Sequence, residues 1–234
     1  MFQGKMKALT FSYDDGITQD IRLIHLLDKY ALKATFNLNS ALLGTSGTLS
    51  RQGICVSHDK IAPGDVARIY HGHEVAVHTL THPLLPELTD AQILREVDVD
   101  RQTLSRLTGQ TVVGMAYPGG GVNFTAHVAT LIATHTPLLY ARTTVCSLNF
   151  ELQSDLMQYH PTLHHMQWDE LFSLGQSFVS LHPNRPQLFY IWGHAYEFDI
   201  ENTWTRFESF CQMISGKDDI AYLTNRDALL GDII

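Results

Sequence analysis

A chain of 234 residues with 44% hydrophobic and 17% charged residues has ordinary globular composition, which excludes a disordered, collagen-like or disulfide-scaffold protein. Sixteen Lys and Arg against 24 Asp and Glu give a net charge of -8, so the chain carries no basic footprint for nucleic acid or an anionic membrane, and neither is expected as a partner. Cys55, Cys146 and Cys211 are far apart and lack CxxC spacing; they read as buried thiols, neither a disulfide framework nor a thiolate zinc site. The length suits one domain over residues 1–234. No apolar stretch approaches the roughly 20 residues that span a bilayer. Met1 to Lys7 lead into a strand-like run without an export signal, so a cytoplasmic location is the expectation.

In chain order, Ala8 to Tyr13 reads as a strand, followed by an amphipathic helix from Gln19 to Tyr30 with Ile21, Ile24 and Leu27 on its stripe and Thr18 as its cap. Strands are predicted at Ala34 to Leu38 and Glu74 to Val77. The clearest helix runs from Thr89 to Leu107, with Thr89 as cap, Ile93, Val97 and Leu104 on one face, and Thr108-Gly109 as its stop. Beyond it come a strand at Val112 to Tyr117, a helix at Ala126 to Thr134 and a strand at Leu138 to Arg142. A helix at Asp169 to Leu181, a strand at Leu188 to Trp192, a helix at Asn202 to Ser215, a strand at Ile220 to Leu223 and a helix at Arg226 to Leu230 complete the set. Strand-then-helix alternation of this kind, about seven times over and without a linker, predicts an α/β chain folded as a closed or nearly closed barrel of parallel strands.

In such a barrel the loops after the strands form the active face, and the polar residues gather there. Asp14 and Asp15 follow the first strand, Asn37 and Asn39 the second, His78 and His82 the third, Gly119 to Asn123 the fourth, Arg142 the fifth, and His194 the Leu188 to Trp192 strand. His78 and His82 at i and i+4 would lie on one face of a helical turn and could share a metal ion. Two carboxylates side by side at Asp14-Asp15 repel one another unless their roles differ: a cation bound by one leaves the other free to take a proton. The plainer alternative, a turn pair with one helix-capping acid, does not account for both.

Thr10-Phe11-Ser12-Tyr13-Asp14-Asp15-Gly16 together with His78-Thr79-Leu80-Thr81-His82 resembles the first two motifs of the polysaccharide deacetylase family, carbohydrate esterase family 4. Tyr117-Pro118-Gly119-Gly120 is placed like the third motif and His194 in Trp192-Gly193-His194 like the last. The resemblance implies a NodB-like distorted (β/α) barrel and a hydrolase that removes an N-acetyl group from an amino sugar or polysaccharide. It also implies one divalent metal ion, usually zinc, held by Asp15, His78 and His82, with Asp14 as general base and His194 as general acid. The Gly119 N–H is a candidate oxyanion donor. The third motif departs from the family: Ala116 stands where an Arg commonly orients the base, and Gly119 where a Tyr follows the Pro. Arg142, at the next strand end, could reach the same carboxylate, its plainer role being a structural salt bridge.

Tyr117, Asn39, Trp192, Tyr196 and Glu197 complete the expected substrate contacts, with a small molecule or oligosaccharide as partner; Trp192 could equally be core and Asn39 a turn residue. His71, His73, His164 and His165 read as solvated, and His58 with Asp59 as a cap. No GxSxG elbow, cysteine nucleophile or phosphate loop is present. Two other readings stay open: the same metal site cleaving a C–N bond of a cyclic amide or ureide, and a barrel that binds carbohydrate without turnover. Oligomeric state is not legible.

Overall fold

The computed structural model of the chain describes residues 2–51 and 53–231. Its elements in order are β1 (Lys7–Asp14), α1 (Asp20–Lys29), β2 (Ala34–Leu38), β3 (Thr48–Arg51), β4 (Ile54–Ser57), α2 (Val66–Ile69), β5 (Glu74–Val77), α3 (Asp90–Thr108), β6 (Gly114–Ala116), α4 (Ala126–His135) and β7 (Tyr140–Arg142). There follow β8 (Leu163–His164), α5 (Trp168–Ser180), β9 (Gln187–Gly193), α6 (Tyr196–Ile200), α7 (Trp204–Ile214), β10 (Ile220–Tyr222) and α8 (Asn225–Leu230). No helix among the described residues is long and apolar enough to cross a membrane.

An eight-stranded parallel sheet runs in the order β7-β6-β5-β2-β1-β9-β8, with β10 added to β1. The strand β1 sits at its centre: Lys7 to Leu9 pair with Ile220 to Tyr222, whereas Phe11 to Asp14 pair with Ala34 to Asn37. The end strands β7 and β8 do not pair directly; one parallel bridge, between Arg142 of β7 and Tyr159 in the segment that leads into β8, spans the gap, so the barrel is distorted.

Alternation along β1 divides two environments. Leu9, Phe11 and Tyr13 face the helices and join the main apolar core; Phe11 packs edge-on against Phe207 of α7 with ring centroids 5.9 Å apart. Thr10, Ser12 and Asp14 take the opposite face and line a largely polar lumen. There Thr10 bonds Asn225, Ser12 accepts from Asn37, and Glu74 accepts from Thr35 and Tyr140. Burial pushes the Glu74 carboxyl up to about 7 despite those donors.

All seven predicted strands are present, those at Ala34–Leu38 and Glu74–Val77 with the predicted ends and the other five with shifted ones. The additional strand β8 has two residues, too short to leave a periodic signal. The hairpin β3–β4 is mostly exposed on both faces, so no inside-outside alternation marks it. Thr18 is not the cap of α1: the N-cap position is Gln19, which donates from Nε2 to the Ser57 carbonyl at 2.7 Å instead. Thr89 does start α3, its backbone N–H donating to Gln92 Oε1 at 3.0 Å. Asn202 has φ 50°, which delays α7 to Trp204. Of the cysteines only Cys211 is buried; Cys146 is half-buried and Cys55 exposed, since Cys55 belongs to the outer hairpin.

Candidate metal and active site

The ends of β1 and β5 bring a carboxylate and two imidazoles together. One ligand atom from each of Asp15, His78 and His82 lies within 4.8 Å of the others, and His82 Nε2 is 3.7 Å from Asp15 Oδ1. The His78–His82 segment is not the helical turn that the i, i+4 spacing suggested. Thr79 and His82 have φ 69° and 64°, and Asp15 has φ 85°, conformations costly for residues with a Cβ. Surrounding bonds hold the loop in this shape. From α3, Glu96 accepts the Thr81 N–H at 2.8 Å, and Asp100 accepts the Ser40 N–H at 2.7 Å and the His78 N–H at 3.2 Å. Asn39 donates to the carbonyls of His78 and Thr79. Asn39 is therefore buried scaffolding behind the loop and does not line the cavity.

The donors fit a divalent ion. His78 Nδ1 lies 2.9 Å from the Ala116 carbonyl and must carry its proton there, which leaves the Nε2 lone pair free toward Asp15 and His82. Burial pushes the His78 pKa down to about 4, so the imidazole is neutral at pH 7, as a ligand must be. Burial would raise Asp15, but the hydrogen bond with His58, followed by the charges of His194, Lys60 and His78, holds it well below the usual carboxylate range. His58 Nε2 is 3.2 Å from Asp15 Oδ2, and Lys60 Nζ donates to the Asp15 carbonyl at 2.8 Å. Both arrive because residues 58–61 run beside 15–18, with a bridge between Ile17 and Lys60. His58 is thus part of the site and not merely a cap. Gly16, at φ 62°, permits this approach; a Cβ there would meet Leu38 Cδ2 at 2.8 Å.

Beside this cluster stands Asp14, 2% exposed. Its Oδ1 accepts from Asn37 at 2.8 Å and its Oδ2 from Arg142 Nη2 at 2.5 Å. Burial alone would raise Asp14; Arg142 first, then His78 and His194, outweigh it and hold the carboxyl below its ordinary value. Arg142 is fully buried, its guanidinium 4.5 Å from the Trp192 ring centre. His194 Nε2 lies 4.0 Å from Asp14 Oδ2 on the far side.

A second cluster stands behind His194. One oxygen of Glu197, Oε2, is 3.1 Å from His164 Nε2, 2.8 Å from His165 Nε2, 3.4 Å from His194 Nδ1 and 3.1 Å from the His194 backbone nitrogen. His164, His165 and Glu197 also have ligand atoms near enough to share a cation. Hydrogen bonding explains them otherwise: His164 Nδ1 accepts from the Met166 N–H, so its proton sits on Nε2 facing Glu197. Burial would raise Glu197, but these imidazoles hold it far below the carboxylate range. Burial lowers His165 to about 4. For His194 burial also acts downward, yet Glu197, and then Asp15 and Asp14, raise it to about 9. His165 packs against the bare backbone of Gly193, where a Cβ would lie 2.6 Å from its ring.

These contacts revise several expectations. Glu197 is a buried acceptor for imidazoles and does not line the cavity. His164 and His165 are half-buried and buried, not solvated, their carboxylate partner being remote in sequence. His73 is also buried, between Asp28 and the Ala34 N–H, well away from this site. Tyr117 points out of the site and donates to the Met157 carbonyl at 2.8 Å. Gly119, Trp192 and Tyr196 do line the cavity of about 790 Å³ that holds Asp14, Asp15, His78, His82 and His194. Glu197 is legible close after His194, but its pairing with His164 and His165 leaves no local signal, because the two segments meet only in the fold.

The pattern of the polysaccharide deacetylase family matches residues 3–135, and the chain belongs to that family. Among solved structures the chain is similar to a polysaccharide deacetylase from Bacillus cereus, with TM-score 0.52 and 19% identity over 64% of this chain and 44% of that one. It is also similar to a family 4 carbohydrate esterase from Streptomyces lividans, with TM-score 0.55 and 18% identity over 93% of this chain and 91% of the other. The family 4 esterase domain of a multidomain xylanase from a Trinervitermes trinervoides hindgut metagenome aligns with TM-score 0.61 and 12% identity, covering 97% and 91%. The chain thus spans less than half of the Bacillus protein, and the likenesses establish the fold, a NodB-like distorted barrel. No curated protein matches the chain.

Proposed function

We propose that this protein is a metal-dependent hydrolase that removes an N-acetyl group from an amino sugar, with Asp15, His78 and His82 holding one divalent ion, zinc by the nitrogen and oxygen donor set. The observation that carries the reading is the position of a second buried carboxylate, Asp14, between that ligand set and the cationic His194. An ion so held polarises an acyl carbonyl and acidifies water.

Asp14 is the general base: ionised at neutral pH and braced by Asn37 and Arg142, it takes the proton from water as the oxygen bonds to the acyl carbon. The Gly119 N–H supports the charge that develops on the carbonyl oxygen. His194 then gives its Nε2 proton to the nitrogen as the C–N bond breaks, yielding acetate and a free amine. Glu197, with Oε2 3.4 Å from Nδ1, keeps His194 charged for that step. Arg142 does for Asp14 what the family's third-motif Arg does elsewhere, from the neighbouring strand end.

The test is a parallel assay of the zinc-loaded protein for acetate from N-acetylated sugars and for ring-opened product from cyclic amides. Acetate alone is the expected result. Product only from the cyclic amides, or saturable sugar binding without turnover, overturns the reading.

Two predictions belong to this mechanism. Removing the guanidinium in Arg142→Ala takes away the leading cation beside Asp14, so kcat is expected to fall about 10-fold or more, with the acid limb of the rate profile moving to higher pH. An unchanged profile removes Arg142 from the mechanism. On the alkaline side, His194 is protonated below its raised pKa of about 9 and loses the proton above it, so kcat/KM is expected to fall as pH rises through that value. Glu197→Gln takes away the main support for the charge and moves this limb to lower pH; a pH-rate series on both proteins checks it.

A further inference from the structure

We propose that His58 is a positioning residue for the metal: by a hydrogen bond it turns the Asp15 carboxylate so that Oδ1, and not Oδ2, is offered to the ion beside His78 and His82, a role that rests on the metal reading above. A carboxylate can present either oxygen to a cation, or both, and the partner of one oxygen decides what is left to the other. Asp15 Oδ2 lies 3.2 Å from His58 Nε2. An ionised carboxylate only accepts, so His58 carries a proton on Nε2 and donates it to Oδ2. Oδ1 is 3.7 Å from both His82 Nε2 and Lys60 Nζ, beyond hydrogen-bond distance, so neither takes up its lone pairs.

Backbone pairing on two sides fixes where His58 stands. The N–H groups of His58 and Lys60 donate to the carbonyls of Gly47 and Thr45 at 2.8 and 2.9 Å; on the other side Thr18 N–H donates to the Asp59 carbonyl at 2.8 Å and Ile61 N–H to the Gly16 carbonyl at 2.9 Å. The segment that carries His58 is thus laced to the turn that carries Asp15. Tyr196 backs the His58 ring edge-on, with centroids 5.4 Å apart. Lys60 adds a second hold on the same residue, its Nζ donating to the Asp15 carbonyl at 2.8 Å where the backbone stands at φ 85°. His58 lies outside the cluster whose ligand atoms are all within 4.8 Å of one another, so it acts through Asp15.

Zinc titration calorimetry on the parent, His58→Leu and His58→Gln tests this, with circular dichroism showing each protein folded before zinc is added. Leucine is of similar size and donates nothing, so zinc affinity is expected to fall about 10-fold or more, the loss usual for an outer partner of a metal ligand. Glutamine keeps an N–H donor on a side chain of similar reach and is expected to restore most of that affinity. His58→Ala, with the same loss expected, replaces the leucine variant if that one is unfolded. Equal affinity in the parent and the variant without a donor overturns the proposal and leaves the metal reading intact. Equal loss in the leucine and glutamine variants also overturns it, because zinc then needs the imidazole itself and not its donated proton. A parent that binds no zinc overturns both readings.

Discussion

Asp14→Asn is expected to lower kcat by about 10²- to 10⁴-fold, the span associated with a positioned base, while the protein still binds one equivalent of zinc. The substitution nearly preserves shape and removes the charge. The contact of the carboxylate with Asn37 and its pairing with Arg142 show that Asp14 is braced by the barrel, and Asp15, not Asp14, is the carboxylate grouped with His78 and His82 in the proposed ligand set. Acetate release and metal analysis on the same preparation separate the two roles. A variant that keeps full activity means that some other group accepts the proton; one that loses zinc means that Asp14 belongs to the ligands.

His82→Ala is expected to do the reverse, with zinc affinity reduced about 10²-fold or more and activity lost with it, because an ion left with two protein donors is held far less firmly. The cost to the fold should be small: the His82 side chain is 33% exposed and pairs with Asp15 at 3.7 Å without entering the core. Titration calorimetry with zinc, set beside the melting temperature of the metal-free protein, reads the two effects independently. Unchanged zinc affinity in a folded His82→Ala protein removes this histidine from the ligand set and leaves the metal reading without its third donor.

Much of this site is written in short motifs. Asp14-Asp15-Gly16 is contiguous, and the strand before it is a run of residues that the barrel buries along its whole length, so both the strand and the acids at its end are legible without coordinates. His78 and His82 are equally local, yet the geometry drawn from their spacing was wrong, because the loop is pulled out of helical form by Glu96, Asp100 and Asn39 and not by its own preferences. The Glu197 cluster was invisible for a different reason. His164 ends β8 and Glu197 lies in α6 after β9, and only the pairing of β8 with β9 sets them face to face. The hairpin β3–β4 escaped notice because most of its residues face solvent, where no pattern of burial constrains the sequence.

Arg142 is also one of the two residues in the bridge between β7 and the segment that leads into β8, its partner there being Tyr159. The side chain that braces Asp14 therefore grows from the seam of the barrel, and the aim of the carboxylate depends on that seam staying shut. In the proposed mechanism, a perturbation that pried Tyr159 away would disturb the base through its brace, so turnover would report on whether the circumference of this molecule is complete.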